Sequence, residues 1–144
     1  PRFGRSDGMH PIAIDTNAYV AFKRGDSDVL EVLRHAEEIL LGTTVLGELL
    51  AGFEAGSRAR TNRVELMRFL DSPRVRQVAC TAATADRYAM VYAALRRAGT
   101  PIPTNDMWVA AACLEHGAAL LTLDAHFACV GGLRAGMQLA DFLP

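Results

Sequence analysis

Short unbroken apolar runs alternate along this chain with stretches in which apolar residues recur every three or four positions. Pro11 to Asp15 (PIAID) is the first run and reads as a buried strand that closes on a carboxylate. Thr16 to Arg24 has helical spacing and stops at Gly25; Asp26 is placed to cap a second helix reaching about Glu37. Ile39 to Thr43 is a second strand. A helix then opens at Thr44, carries Val45, Leu46, Leu49 and Leu50, and ends near Gly56. Arg58 to Leu70 is another helix, ended by Ser72-Pro73, and Val75 to Val78 is a third strand. Thr81 or Thr84 caps a long helix to Arg97, stopped at Gly99. Thr104 or Asn105 caps the next, Asp106 to His116, stopped at Gly117. Ala118 to Leu123 is a fourth strand ahead of Asp124, and a short last strand is expected near Met137 to Leu139.

Strands that alternate with helices predict an α/β fold with a parallel sheet covered on both faces. In such sheets ligands bind beyond the carboxyl ends of the strands. Asp15 and Asp124 both stand just past such ends. Asp106 lies in the first turn of a helix, where the dipole favours a carboxylate, and that turn lies at the same edge. Glu48 sits early in the helix after strand two, flanked by Leu46, Leu49 and Leu50, so its side chain is expected near the core face. Each acid alone has a plain structural use, as a cap, a turn residue or a solvated helix position. Four of them at one edge would repel one another unless their pKa values rose or a cation bound. Hard oxygen donors select Mg²⁺ or Mn²⁺. Thr16, Asn17, Thr104, Asn105 and Thr122 lie beside these acids, as caps or as donors that orient the carboxylates.

The remaining composition narrows the field. At 144 residues the chain suits one domain, with residues 1–9 read as an N-terminal extension and residues 10–144 as the domain; Met9 is a candidate natural start. No apolar run reaches the roughly 18 residues of a membrane span, and no signal peptide is visible. Cys80, Cys113 and Cys129 form neither a CxxC pair nor an even set, so they read as small buried apolar residues in a reducing cytoplasm. The net charge of −1 advertises no nucleic acid, but Arg58, Arg60, Arg63, Arg68, Arg74 and Arg76 crowd one stretch and can meet phosphates or simply solvate a helix face. Arg58, Arg60 and Arg63 are the candidates for holding such phosphates. Lys23 is the single lysine. Receiver domains and aspartate-nucleophile phosphatases use a lysine late in the chain, and the phosphatases a second Asp where Asn17 stands, so both are disfavoured. A non-catalytic binding module would not need the four acids. Tyr19 and Trp108 are candidates for stacking on bases, though packing explains them better, and His126, beside Phe127, reads as part of a packed loop rather than as a general base. Leu46, Leu49, Leu50, Phe53, Val64, Met67 and Phe69 serve a core or a groove for a partner segment equally well.

The strings IDTNAYVAF, TTVLGELLAGF, PTNDMWVAAA and LLTLDAHF, in that order, resemble the PIN-domain family, especially its VapC-type toxins. The resemblance covers nearly everything from Pro11 onward. It implies a three-layer α/β/α sandwich with a five-stranded parallel sheet. It also implies that Asp15, Glu48, Asp106 and Asp124 are the metal-binding, catalytic acids of an Mg²⁺-dependent (or Mn²⁺-dependent) endoribonuclease leaving 5′-phosphate and 3′-hydroxyl ends. An RNA substrate, a cognate antitoxin and a homodimer are the implied partners, in the cytoplasm.

Overall fold

The computed structural model describes residues 9–144, so most of the expected extension at residues 1–9 lies outside the described residues, while Met9 itself is buried in the core. The elements run in the order β1 (Ile12–Ile14), α1 (Thr16–Lys23), α2 (Ser27–His35), β2 (Ile39–Gly42), α3 (Thr43–Ala55), α4 (Ala59–Leu70), β3 (Val75–Val78), α5 (Ala82–Ala98), α6 (Thr104–His116), β4 (Ala119–Leu121) and β5 (Ala135–Gly136). One-turn 3-10 helices follow β4 and β5, at Ala125–Cys129 and Leu139–Asp141.

The five strands form one parallel sheet in the order β3-β2-β1-β4-β5, flanked by the six helices as an α/β/α sandwich. The inner strands are apolar throughout because both faces are covered. Ile12, Leu120 and Leu121 are fully buried, and Ile14, Leu40 and Leu41 nearly so. Each such side chain stabilises the fold by about 1.5–3 kcal/mol relative to exposure. The chain winds outward through β2 and β3, then crosses back to place β4 on the other side of β1. The gap between the carboxyl ends of β1 and β4 is therefore the point where the winding reverses, the usual position of a site in such sheets.

Several local expectations shift. The last strand is Ala135–Gly136, not Met137 to Leu139. The Asp141 carboxylate accepts hydrogen bonds from Met137 N and Gln138 N, both 3.0 Å, which turns the chain there and withdraws those groups from the sheet. Position 136 has to be glycine, because a Cβ there would fall onto the Asp141 side chain. β4 stops at Leu121 rather than Leu123, which is exposed. Gly117 ends α6 at φ 63°, as expected of a left-handed stop. Neither Thr104 nor Asn105 caps that helix. Pro103 is the cap residue, and its carbonyl accepts from Asp106 N at 3.0 Å and Met107 N at 3.1 Å. Among the cysteines only Cys113 is buried, its thiol pushed up to about 12 by burial and then by the charge of Asp15; Cys80 and Cys129 are exposed, against expectation.

Candidate active site

Asp15 ends β1 and begins α1. Its backbone N–H extends the sheet by donating to Leu121 O at 2.9 Å, and its carboxylate caps α1 through Thr16 N, also 2.9 Å. Capping and site membership are therefore one arrangement. The second carboxylate oxygen accepts from the Thr122 hydroxyl at 2.7 Å, just past β4. Thr122 Oγ1 in turn accepts from Asp124 N at 3.0 Å, and Asn17 Oδ1 accepts from Leu123 N at 3.0 Å. The DTN segment after β1 and the TLD segment after β4 are thus tied together by side-chain-to-backbone bonds across the reversal point.

Glu48 reaches the same place from α3. It is half-buried rather than packed on the core face, and both of its oxygens are engaged: Oε1 accepts from the Thr16 hydroxyl and Oε2 from the Asn105 amide. The second bond explains why Asn105 is not a cap. Asp106 is buried in the first turn of α6, as its position in the sequence suggests. Its carboxylate contacts His126 Nε2 at 2.6 Å, while His126 Nδ1 lies 3.4 Å from Asp124 Oδ1. Asp124 is exposed at the rim.

All four acids therefore meet. The charges bear on one another: Asp15 is raised above the ordinary carboxylate range first by burial, against the lowering effect of its Thr122 and Thr16 hydrogen bonds, with Asp106 and Glu48 adding repulsion. Asp106 is raised by burial too, offset by the hydrogen bond and charge of His126, with repulsion from Asp124 and Glu48. These are carboxylates held together against their own electrostatics. Asp106, Asp124 and His126 can each offer one ligand atom within 4.8 Å of the others. Oxygen donors in this number, short of positive charge, fit a divalent cation.

The other candidates divide. Thr16, Asn17, Asn105 and Thr122 bear on the acids as described; Thr104 is exposed in the first turn of α6 with no side-chain cap bond there. Arg63 faces Glu54 at 3.6 Å, Arg60 is exposed, and Arg58 lines a cleft with Tyr19, Lys23, Arg24, Asn62 and Glu65. Further along the basic stretch, Arg74 donates to the carbonyls of Leu33 and Ala36 and Arg76 pairs with Glu38, so those two are structural. Tyr19 is too buried to stack on a base; burial, then Glu65, pushes its hydroxyl to about 12. Trp108 stacks on Tyr88 with ring centres 4.2 Å apart. Of the seven apolar positions on α3 and α4, only Val64 and Met67 are well exposed. His126 is the member that reading the sequence undervalued. The signal was its spacing: two residues after Asp124, on a tight turn, an imidazole swings back toward the acids rather than into the core.

A family profile for the PIN domain matches residues 12–133. The chain belongs to the PIN-domain family. It is 29% identical over 90 residues to Ribonuclease VapC4 of Mycobacterium tuberculosis, a match covering 62% of this chain and 69% of that protein. Among solved structures, VapBC2 from Rickettsia felis, bound to a DNA fragment from its promoter, matches with a TM-score of 0.76 and 24% identity, over 87% of this chain and 96% of that one. M. tuberculosis VapC20, described as a sarcin-ricin loop cleaving toxin, matches with a TM-score of 0.63 and 20% identity, over 83% and 95%. At these identities the structures speak for the fold.

Proposed function

We propose that this PIN domain is a metal-dependent endoribonuclease and the toxin of a toxin–antitoxin pair. The observation that carries the reading is the meeting of Asp15, Glu48, Asp106 and Asp124, from four separate segments, at the reversal point of the sheet, with the two buried members raised in pKa. A cluster of this kind is costly to a fold without a ligand and suits a divalent ion. The similarity to Ribonuclease VapC4 supports RNA as the substrate class, and the toxin–antitoxin assemblies among the structural relatives support an antitoxin partner.

Asp15 and Asp106 would hold Mg²⁺ or Mn²⁺, with Glu48 and Asp124 completing the acidic lining. The bound ion supplies Lewis acidity: it makes water a competent nucleophile near neutral pH and draws charge off a phosphodiester. The chain's own residues do the rest. Thr122 and Thr16 N fix both oxygens of Asp15, and Thr16 and Asn105 fix both oxygens of Glu48, so these carboxylates are set before any ligand arrives. The exposed Asp124 leaves the rim open to a polymer. Arg58, Arg60 and Arg63 are the backbone-holding candidates, giving affinity that weakens with salt. Cleavage leaves a 5′-phosphate and a 3′-hydroxyl. An antitoxin segment covers the toxin, which acts as a homodimer in the cytoplasm; no described helix is long and apolar enough to cross a membrane.

The test is RNA cleavage with Mg²⁺ or Mn²⁺ by the wild-type chain and by Asp15→Asn, an isosteric change. Loss should exceed about a hundredfold, the upper end for residues that merely support a metal ligand. A chelator should have the same effect on the wild type, and circular dichroism should show the variant folded. Cleavage by Asp15→Asn at the normal rate would sink the reading.

A further inference from the structure

We propose that His126 is a metal ligand: its imidazole supplies a nitrogen to the same divalent ion, on the side of the cluster where it meets Asp106 and Asp124, and this tilts the site toward Mn²⁺ over Mg²⁺. The inference rests on the reading of the acidic cluster as a metal site and adds to it a donor of different chemistry.

The geometry gives three reasons. First, one ligand atom from each of Asp106, Asp124 and His126 falls within 4.8 Å of the others, close enough that small side-chain adjustments would bring all three onto one ion at bonds of about 2.1 Å. Second, both ring nitrogens face carboxylates, Nε2 toward Asp106 at 2.6 Å and Nδ1 toward Asp124 at 3.4 Å. An ion that replaces one of these contacts would take that nitrogen and leave the other oriented by a carboxylate, the arrangement in which metal-binding imidazoles are commonly found. Third, the ring is held where it is. It projects from the 3-10 turn Ala125–Cys129, whose Phe127 is fully buried and lies 5.0 Å from the imidazole, ring centre to ring centre. The Cys129 thiol donates to the His126 carbonyl at 3.0 Å and closes the turn. An imidazole fixed against two carboxylates at the rim of an acidic cluster is placed as a donor, whereas a packing residue would turn inward as Phe127 does.

Nitrogen donors change selectivity. Mg²⁺ keeps to hard oxygen ligands, while Mn²⁺ and the later transition metals accept imidazole. Losing the ring should therefore cost Mn²⁺ affinity more than Mg²⁺ affinity.

The experiment is pulsed electron paramagnetic resonance on the full chain loaded with Mn²⁺, with histidine labelled with ¹⁵N. A directly bonded ¹⁵N coupling is expected in the wild type and should vanish in His126→Ala, which keeps His10, His35 and His116 as internal controls. Calorimetry on the same proteins should show Mn²⁺ affinity falling about tenfold or more in His126→Ala, with a smaller change for Mg²⁺. If Mn²⁺ binds in an Asp106-dependent way but no nitrogen coupling is seen in the wild type, this inference is overturned and the nuclease reading stands. A coupling that persists in His126→Ala also overturns it. If the wild type binds no Mn²⁺ at all, both fall together. Should His126→Ala misfold, the wild-type spectrum and the folded His126→Gln variant decide the same question.

Discussion

The acidic cluster has two halves built on different principles. On one side, Asp15 and Glu48 are held entirely by groups that carry no charge: two threonine hydroxyls, an asparagine amide and a backbone N–H. On the other, Asp106 and Asp124 meet a single ionisable ring, His126. Neutral donors can aim a carboxylate but cannot discharge it, whereas an imidazole can do both. The Asp15 half is therefore a fixed frame that requires an external cation, and the Asp106 half carries its own partial substitute for one. The comparison makes the cluster asymmetric, and asymmetry can be measured.

The largest effect should come from loosening the frame. Thr122→Val keeps the shape but removes the hydroxyl that donates to Asp15 and accepts from Asp124 N. One change thus releases one oxygen of the Asp15 carboxylate and loosens the loop that carries the opposite half. Supporting residues of this kind typically contribute 10- to 100-fold in metal affinity or activity, and a loss of about that size is expected in both Mn²⁺ binding and RNA cleavage. Thr122→Ser should recover most of it. A Thr122→Val protein with wild-type metal affinity would show that the frame is incidental.

Asn105→Ala tests the same half more gently. Asn105 is exposed, and Glu48 would keep its bond from Thr16, so metal affinity should drop about threefold to tenfold, below or at the low end of the usual range for such partners. An effect equal to that of Thr122→Val would mean that Glu48, not Asp15, anchors the site. Isothermal titration of the two variants side by side distinguishes these outcomes.

The fold was legible because it is written in spacing. Short continuous apolar runs such as Ile12–Ile14 and Ala119–Leu121, alternating with helical spacing, suit doubly covered strands, and Gly117 closes α6 where a left-handed residue is needed. The four acids were legible for the same reason, since the end of a parallel strand and the first turn of a returning helix share an edge. What spacing cannot carry is where a polar side chain points. Asn105 looked like a cap and instead reaches across to Glu48; His126 looked like loop packing and faces the acids. The strand expected near Met137 is displaced because Asp141, three and four residues from its partner atoms in Gln138 and Met137, intervenes at short range. Each of these depends on one side chain meeting another segment, which periodicity does not encode.

The smallest effect concerns stability without metal, and it is the sharpest test of the asymmetry because its sign differs from that of an ordinary salt bridge. Asp15 and Asp106 both bind protons more tightly in the folded protein than the 3.8 of an unperturbed Asp. The folded state then holds more protons than the unfolded state across the interval between those values. Stability must fall as pH rises through that interval, with no penalty below the unfolded value and the full penalty above the folded one. The metal-free protein should therefore melt at a lower temperature near pH 7 than near about pH 4, close to the unfolded value. Saturating Mn²⁺ should erase the difference, because it stabilises the ionised forms. The two halves should not contribute equally. Ionised Asp106 is relieved by His126, while ionised Asp15 has only neutral donors, so Asp15→Asn should remove more of the pH slope than Asp106→Asn and should raise the metal-free melting temperature near neutrality. Differential scanning calorimetry of the two variants across this range measures both slopes. Equal slopes, or a larger correction from Asp106→Asn, would show that the imidazole does not offset charge in its half and that the two halves are electrostatically alike.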